Sequence, residues 1–175
     1  PGVAITLHAE AAQDPHRITL DATGQGGRVG DTSLWQGTLG TASLQMQNLS
    51  KPGIWNLALN NTVGITLQHD PRGGQALQVA GGSARLTGPA PGTAQVQWQA
   101  ARWAPARAAP ATPAQWQTRG TLQDVPLGWL ELLGQTPIAN LGLQGDLVFG
   151  GQWDASGGDT ITMRATLQRT QGDLQ

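Results

Sequence analysis

The three histidines are the side chains of this chain best suited to acid–base or metal chemistry. They stand at His8, His16 and His69, in a chain of 175 residues that has eleven Asp and Glu residues and no cysteine. Their spacing matches no metal-binding pair, and a site without thiolates would need them to converge with carboxylates. We therefore predict that they are strand and turn residues, and expect no metal and no cofactor.

Two glycine-rich segments resemble binding or catalytic loops but lack a required residue. Residues 24–30 are similar to a dinucleotide-binding loop, but Val29 takes the place of the third glycine and no helical pattern follows. Residues 81–85 approach the nucleophile elbow of hydrolases, but Arg85 replaces the last glycine of that motif. Neither segment predicts a site.

The remaining polar motifs are typical of turns. Asp21 and Asp31 could suggest a catalytic pair of aspartates, but aspartate is common in turns at strand ends, and we interpret both residues in that way. Residues 60–62 fit a glycosylation sequon and are interpreted as a hairpin turn. Because no acid, base, nucleophile or metal set comes together, we expect that the protein is not an enzyme.

Composition favours an extended β protein with an uncharged polar surface. Charged residues make up 12% of the chain, the net charge is -1, and 25 residues are glycine. There is no basic excess that would indicate a nucleic-acid partner. No apolar run approaches the roughly 18 residues of a membrane span, and no signal peptide is visible. We expect residues 1–175 to be a single β-rich domain, a fragment of a longer repetitive protein of the cell envelope.

Alternation of apolar and polar residues is the strongest pattern in the chain. Val3, Ile5 and Leu7 alternate with polar or small residues, as do Ile161, Met163 and Leu167 near the other end. A period of two residues is typical of half-buried strands. Turns are predicted at residues 24–27, 71–74, 81–82, 89–92 and 155–159, and an Ala/Pro-rich loop at residues 105–113. The sequence therefore predicts an all-β antiparallel meander.

One short helix is predicted near residues 126–133. Asp124 is suited to cap it, Pro126 to its first turn and Gly134 to its end. The segment is apolar nearly all round, so we expect it to lie against an apolar surface or to plug an opening. The side chains expected to cover that surface are Leu127, Trp129, Leu130 and Leu133.

Tryptophan supplies almost all of the aromatic side chains. There are seven Trp, one Phe and no Tyr, and five of the Trp fall on predicted strands: Trp35, Trp55, Trp98, Trp116 and Trp153. Their neighbours on the same side are mainly Leu, Ile and Val. Three interpretations of these tryptophans are open: they fill a sandwich core, they line a groove for lipid tails, or they form a platform for sugars. The apolar neighbours favour the first two interpretations over the third.

A succession of motifs along the chain resembles the TamB family, inner-membrane-anchored components of the translocation and assembly module within the wider AsmA-like group. The match runs over roughly residues 30–175. Its motifs are Leu34–Leu39, Gly53–Leu57, Trp116–Leu122, Asp124–Leu130, Leu141–Leu147, Gly150–Asp154 and Arg169–Leu174. The family's anchor and its segments that dock to the outer-membrane partner are expected outside this chain.

The resemblance implies a long periplasmic sheet folded into an open, taco-like trough with an apolar concave face. It implies a role in the assembly of outer-membrane proteins such as autotransporters, together with the Omp85-type barrel TamA. It also implies transport of phospholipid between the inner and outer membranes. The cargo in the groove would be phospholipid acyl chains, unfolded outer-membrane protein clients, or both.

We expect the groove to be lined by residues of one parity on each strand, with the Gln and Thr residues between them facing water. Three alternatives remain: a chaperone that adds client strands to a sheet edge, a carbohydrate-binding module and a structural β-sandwich. The expected lining residues are Ile5, Leu7, Ile18, Leu20, Trp55, Leu57, Leu59, Ile65, Leu67, Val96, Trp98, Leu143, Leu147, Phe149, Ile161, Met163 and Leu167.

Overall fold

A computed structural model describes residues 2–50, 53–70, 74–106, 113–129 and 147–172. Within these ranges the chain forms twelve strands in one antiparallel sheet, which confirms the predicted all-β fold. The strands are β1 (Val3–Gln13), β2 (His16–Arg28), β3 (Leu34–Asn48), β4 (Ile54–Leu59), β5 (Val63–Asp70), β6 (Gly74–Val79), β7 (Gly82–Thr87), β8 (Ala94–Trp98), β9 (Ala101–Ala104), β10 (Gln115–Pro126), β11 (Val148–Gly157) and β12 (Ile161–Gln171).

The twelve strands form nine rows, because three rows consist of two strands placed end to end. β4 and β5 share a row, as do β6 and β7, and β8 and β9; β3 pairs with both members of the first row and β10 with both members of the last. Each row pairs with the row that follows it in the chain. The topology is thus the predicted meander.

The broken rows are interrupted at the same level of the sheet, at residues 60–62, 80–81 and 99–100. Hydrogen bonds continue across this line, from the Asn60 amide to the Ser83 carbonyl (3.0 Å) and from the Ala80 amide to the Gly64 carbonyl (2.8 Å). The Asn60 side chain also donates to Gln95 Oε1 (3.0 Å). The interruptions therefore lie within one continuous sheet and are not a boundary between two sheets.

The sheet curves without closing into a barrel and forms an open trough. At Gly151, a side-chain Cβ would lie 2.6 Å from the backbone oxygen of Thr166, and at Gly120 it would overlap the backbone oxygen of Gln97. The backbones of the neighbouring strands thus lie close to these glycines on this side of the sheet, as the concave side of a curved sheet requires. All described strands belong to this one sheet, so they do not form two separate sheets.

Several local predictions are wrong. Residues 60–62 and 81–82 form no hairpin turn, because β4 and β5 lie end to end in one row, as do β6 and β7. Residues 155–157 belong to β11 rather than to a turn, and Asp21 lies inside β2 rather than at a strand end.

Residues 24–27 form no turn either but continue β2, with a bulge between Thr23 and Gly24. Gly24 and Gly26 lie opposite Leu39 and Gly37 of β3, so long-range pairing replaces the turn that local glycine content predicts. Asp124 caps no helix either. It lies in β10 with a φ of 59°, at an irregularity in the pairing with β11, and the helix begins at residue 127.

Candidate functional site

One face of the sheet carries all of the predicted lining residues that lie in described strands. Side chains directly opposite one another on antiparallel strands share a face, and the pairing runs from Leu20 to Leu44, then to Leu57 and Leu86. We call this face, which also holds Ile5 and Met163 at its two margins, the apolar face. Leu147 directly precedes β11, and Leu143 lies outside the described residues.

The apolar face is most accessible at its two margins. All residues of β1 and β12 are exposed, and the exposed fraction is 42% for Ile5, 75% for Ile161 and 69% for Met163. Lining residues of the inner rows, such as Leu57 and Val96, are half-buried. Surface on the apolar face is therefore left uncovered by the described residues.

One end of the apolar face is closed by the start of the helix. Trp129 is 1% exposed, and its ring meets that of Trp55 edge-on with centroids 5.1 Å apart. Its indole N–H donates to the Ala90 carbonyl (3.0 Å). We call the cluster that Trp129 and Trp55 form with Ala94 and Val125 the end cluster. Leu127 is also buried, whereas Leu130 and Leu133 lie outside the described residues.

Tryptophan rings on the apolar face lie across glycines of neighbouring strands. Trp98 is directly opposite Gly82 and Gly120, and a Cβ on Gly82 would lie 2.6 Å from Cζ2 of Trp98. A Cβ on Gly120 would overlap the ring of Trp153, which lies opposite it. Because these glycines have no side chain, the rings lie low against the sheet and leave the space above it open.

A small apolar pocket lies on this face next to the margin formed by β12. It has a volume of about 270 Å³, and its apolar lining comes from Leu122, Trp153, Ala165 and Leu167. Engineered apolar cavities of about 150 Å³ bind benzene. The pocket is thus large enough for a short stretch of hydrocarbon.

The opposite, polar face also has depressions, and they are larger. One of about 470 Å³ is lined by polar side chains of four rows, among them Gln97 and Arg164. Within it Arg119 donates to Asp154 Oδ2 from Nε (3.0 Å) and from Nη2 (2.6 Å). Both side chains are roughly half exposed, so this pair contributes little to stability.

The titratable side chains of the described residues form no group of three that could hold a metal ion. His8 has two charged partners: its Nδ1 lies 2.6 Å from Asp21 Oδ1 and its Nε2 lies 3.5 Å from Glu10 Oε1. The hydrogen bond and charge of Asp21, followed by Glu10, raise the pKa of His8 above 6.5.

We expect the His8 titration to depend on Asp21. Because the folded-state pKa is raised, the interaction stabilises the fold below pH 6.5, and this contribution is lost as the pH rises through the folded-state pKa. An NMR titration of the imidazole should give a midpoint above 6.5 that falls toward 6.5 in Asp21→Asn. Asp31→Asn is the control and should leave the midpoint in place; an equal fall in both variants would contradict the assignment.

Comparisons with protein-family models, curated proteins and solved structures found no match. The resemblance to the TamB family therefore stays a prediction from the order of its motifs. Among the described residues, no helix has the length and hydropathy needed to cross a membrane.

Proposed function

We propose that the apolar face of this trough is a binding surface for hydrophobic cargo in the periplasm. The cargo is phospholipid acyl chains in transit between the inner and outer membranes, unfolded outer-membrane protein clients, or both. The observation that carries the proposal is the open apolar face, whose margins are exposed at Ile5, Ile161 and Met163. An inner-membrane anchor and the outer-membrane barrel TamA belong to this proposal through the family resemblance.

The energy of such binding comes from removing apolar surface from water. Burial contributes about 25 cal/mol per Å², so covering ~100 Å² of acyl chain contributes ~2.5 kcal/mol. The low tryptophan rings at Trp98 and Trp153 supply this area without filling the trough. The apolar pocket beside Leu122 adds a place where hydrocarbon is enclosed on more than one side.

The end cluster makes the two ends of the trough different, because it closes one of them. Trp129 and Val125 already bury the apolar face at one end, so cargo has to enter from the open part of the trough. Leu147 is 4% exposed and belongs to the closed part. A charge at Leu147 would be buried without a partner and would unfold the protein, so the binding test needs exposed residues.

Paired substitutions on β12 test the proposal. Met163→Glu with Leu167→Glu puts charge on the apolar face, whereas Thr162→Glu with Thr166→Glu puts the same charge on the polar face of the same strand. All four residues are exposed, so we expect thermal unfolding to change little. Binding of a phospholipid with a fluorescent acyl chain, followed by its emission, should weaken ~tenfold or more in the first variant only, which corresponds to ~1.4 kcal/mol. Equal losses in both variants, or no binding by the unaltered protein, would refute the proposal.

Carbohydrate binding is the second candidate, and the polar depression is the observation that favours it. This depression combines the Arg119–Asp154 pair with Gln97 and Gln152, polar side chains that can form hydrogen bonds with sugar hydroxyl groups. Binding of soluble glycans in titration calorimetry, lost in Arg119→Ala, would support it. No glycan binding, together with lipid binding, supports the first candidate.

A further inference from the structure

A row of large side chains crosses the apolar face at the end opposite the end cluster. Each strand that carries the row is paired on both sides within the sheet. We call the five residues the tryptophan row, since they include three of the seven tryptophans of the chain. Directly paired positions place them side by side on β3, β5, β6, β9 and β10 in the order Trp35, Leu67, Leu77, Trp103 and Trp116.

Arg28 extends the tryptophan row by one strand, because it lies on β2 directly opposite Trp35. Its side chain is exposed. The ring of Trp35 lies over Gly26, two residues before Arg28, and residues two apart on a strand point to the same side of the sheet. An exposed guanidinium group therefore stands at one end of a line of indole and leucine side chains.

The charge of the apolar face differs from that of the whole chain. The chain has 10 Lys and Arg residues and 11 Asp and Glu residues. In the described strands, however, the paired positions of the apolar face hold the arginines Arg28 and Arg169 and no Asp or Glu. Arg169 lies opposite Phe149, which packs against the end cluster, whereas Arg28 lies at the other end. The charge that complements the tryptophan row and Arg28 is therefore negative.

Indole and guanidinium groups together suit the boundary between hydrocarbon and a polar headgroup. Indole combines a large apolar ring with an N–H donor and is enriched where apolar and aqueous regions meet. A guanidinium group matches a phosphate with two parallel hydrogen bonds. The tryptophan row with Arg28 thus offers both an apolar surface and a partner for a phosphate group.

The apolar face continues from the tryptophan row toward the end cluster only, because β2 ends at Arg28 and β10 begins at Gln115. Trp153, which lines the apolar pocket, lies opposite Gly120. Four residues at ~3.4 Å each place Gly120 about 14 Å from Trp116 along β10. This distance is close to the ~15 Å that one leaflet contributes to a hydrocarbon core of roughly 30 Å. A lipid whose headgroup lies at the row can therefore reach the pocket with its acyl chains.

We infer that the trough selects phospholipids with an anionic headgroup, which Arg28 and the tryptophan row hold at the end opposite the end cluster. The acyl chains then lie along the apolar face toward the end cluster. This inference rests on the proposed function and adds to it the charge and the position of the headgroup. Phosphatidylglycerol, whose headgroup has a net negative charge, represents this class of ligand.

Two lipids with the same acyl chains separate the contribution of the headgroup from that of the hydrocarbon. Phosphatidylglycerol and the zwitterionic phosphatidylcholine, each with one fluorescent acyl chain, are titrated with the unaltered protein at low salt. We expect phosphatidylglycerol to bind about fivefold more tightly, the upper end of the range for an exposed ion pair, and the difference to shrink as salt is added. Arg28→Gln should remove this preference and leave the affinity for phosphatidylcholine unchanged.

Arg17→Gln is the matched control, because Arg17 is an exposed residue of the same strand on the polar face. It removes the same charge and should leave the preference for phosphatidylglycerol in place. Three results would overturn the inference: equal affinity of the unaltered protein for the two lipids, a preference that survives Arg28→Gln, or a preference that Arg17→Gln also removes. Each of them leaves the proposed function standing, whereas binding of neither lipid would refute both.

Discussion

Replacing Trp129 by alanine should lower the free energy of unfolding by about 3–5 kcal/mol, the range measured for large aromatic residues removed from a core. The ring is 1% exposed and contacts Trp55 edge-on, and its N–H donates to the Ala90 carbonyl. Truncation removes the packing and leaves the carbonyl of the half-buried Ala90 without its partner. Urea unfolding followed by circular dichroism measures the loss.

Trp103→Ala is the control for the size of the side chain. Trp103 lies on the apolar face opposite Trp116, but it is 42% exposed, so its loss should cost about 1 kcal/mol. The same cost for both substitutions would contradict the assignment of the end cluster as the main core. Trp129→Ala should also open the closed end of the trough. The protein that remains folded should therefore bind lipid with no less affinity than the unaltered protein.

Gly120→Ala should destabilise the protein by about 1–3 kcal/mol, as overpacking commonly does. The new methyl group would overlap the Gln97 backbone oxygen and the ring of Trp153. The overlap with Trp153 is relieved only if the indole rises into the trough. The overlap with the Gln97 oxygen is relieved only if the strands that pair at Gly120 and Trp98 shift apart. Thermal unfolding measures the stability loss, and lipid binding should weaken in the same variant because the trough becomes shallower.

Gly64→Ala is the matched control, since Gly64 is also paired within a strand, opposite Thr38. Its added Cβ would lie 3.5 Å from the Cβ of Ala80, an ordinary contact. Replacing such a glycine generally stabilises a strand by roughly 0.5–1 kcal/mol. The two substitutions should therefore have opposite signs, and a stabilising Gly120→Ala would show that the tryptophan rings do not lie across the glycines.

The faces of the sheet were predictable from the sequence because strand geometry is local. Ile161, Met163 and Leu167 share a parity, and any regular strand places them on one side. The antiparallel meander followed from the short spacing between apolar runs. The existence of the helix followed from Pro126 and the leucines after it.

The structural roles of the glycines and of Trp129 were not predictable from the sequence, because both depend on contacts with residues distant in sequence. Residues 24–27 resemble a turn, but β3 pairs with them and Trp35 covers Gly26. Trp129 packs on Trp55, 74 residues earlier in the chain, and no local pattern encodes that contact. A glycine recurring opposite tryptophan becomes a signal only once the register of the strands is known.

The most direct test of the central claim, that the apolar face holds hydrocarbon, is native mass spectrometry of the purified 175-residue chain. The account predicts protein ions carrying phospholipid that is retained through purification and depleted in Met163→Glu with Leu167→Glu, but not in Thr162→Glu with Thr166→Glu. Ions of bare protein only, which stay bare after incubation with phospholipid vesicles, would contradict it.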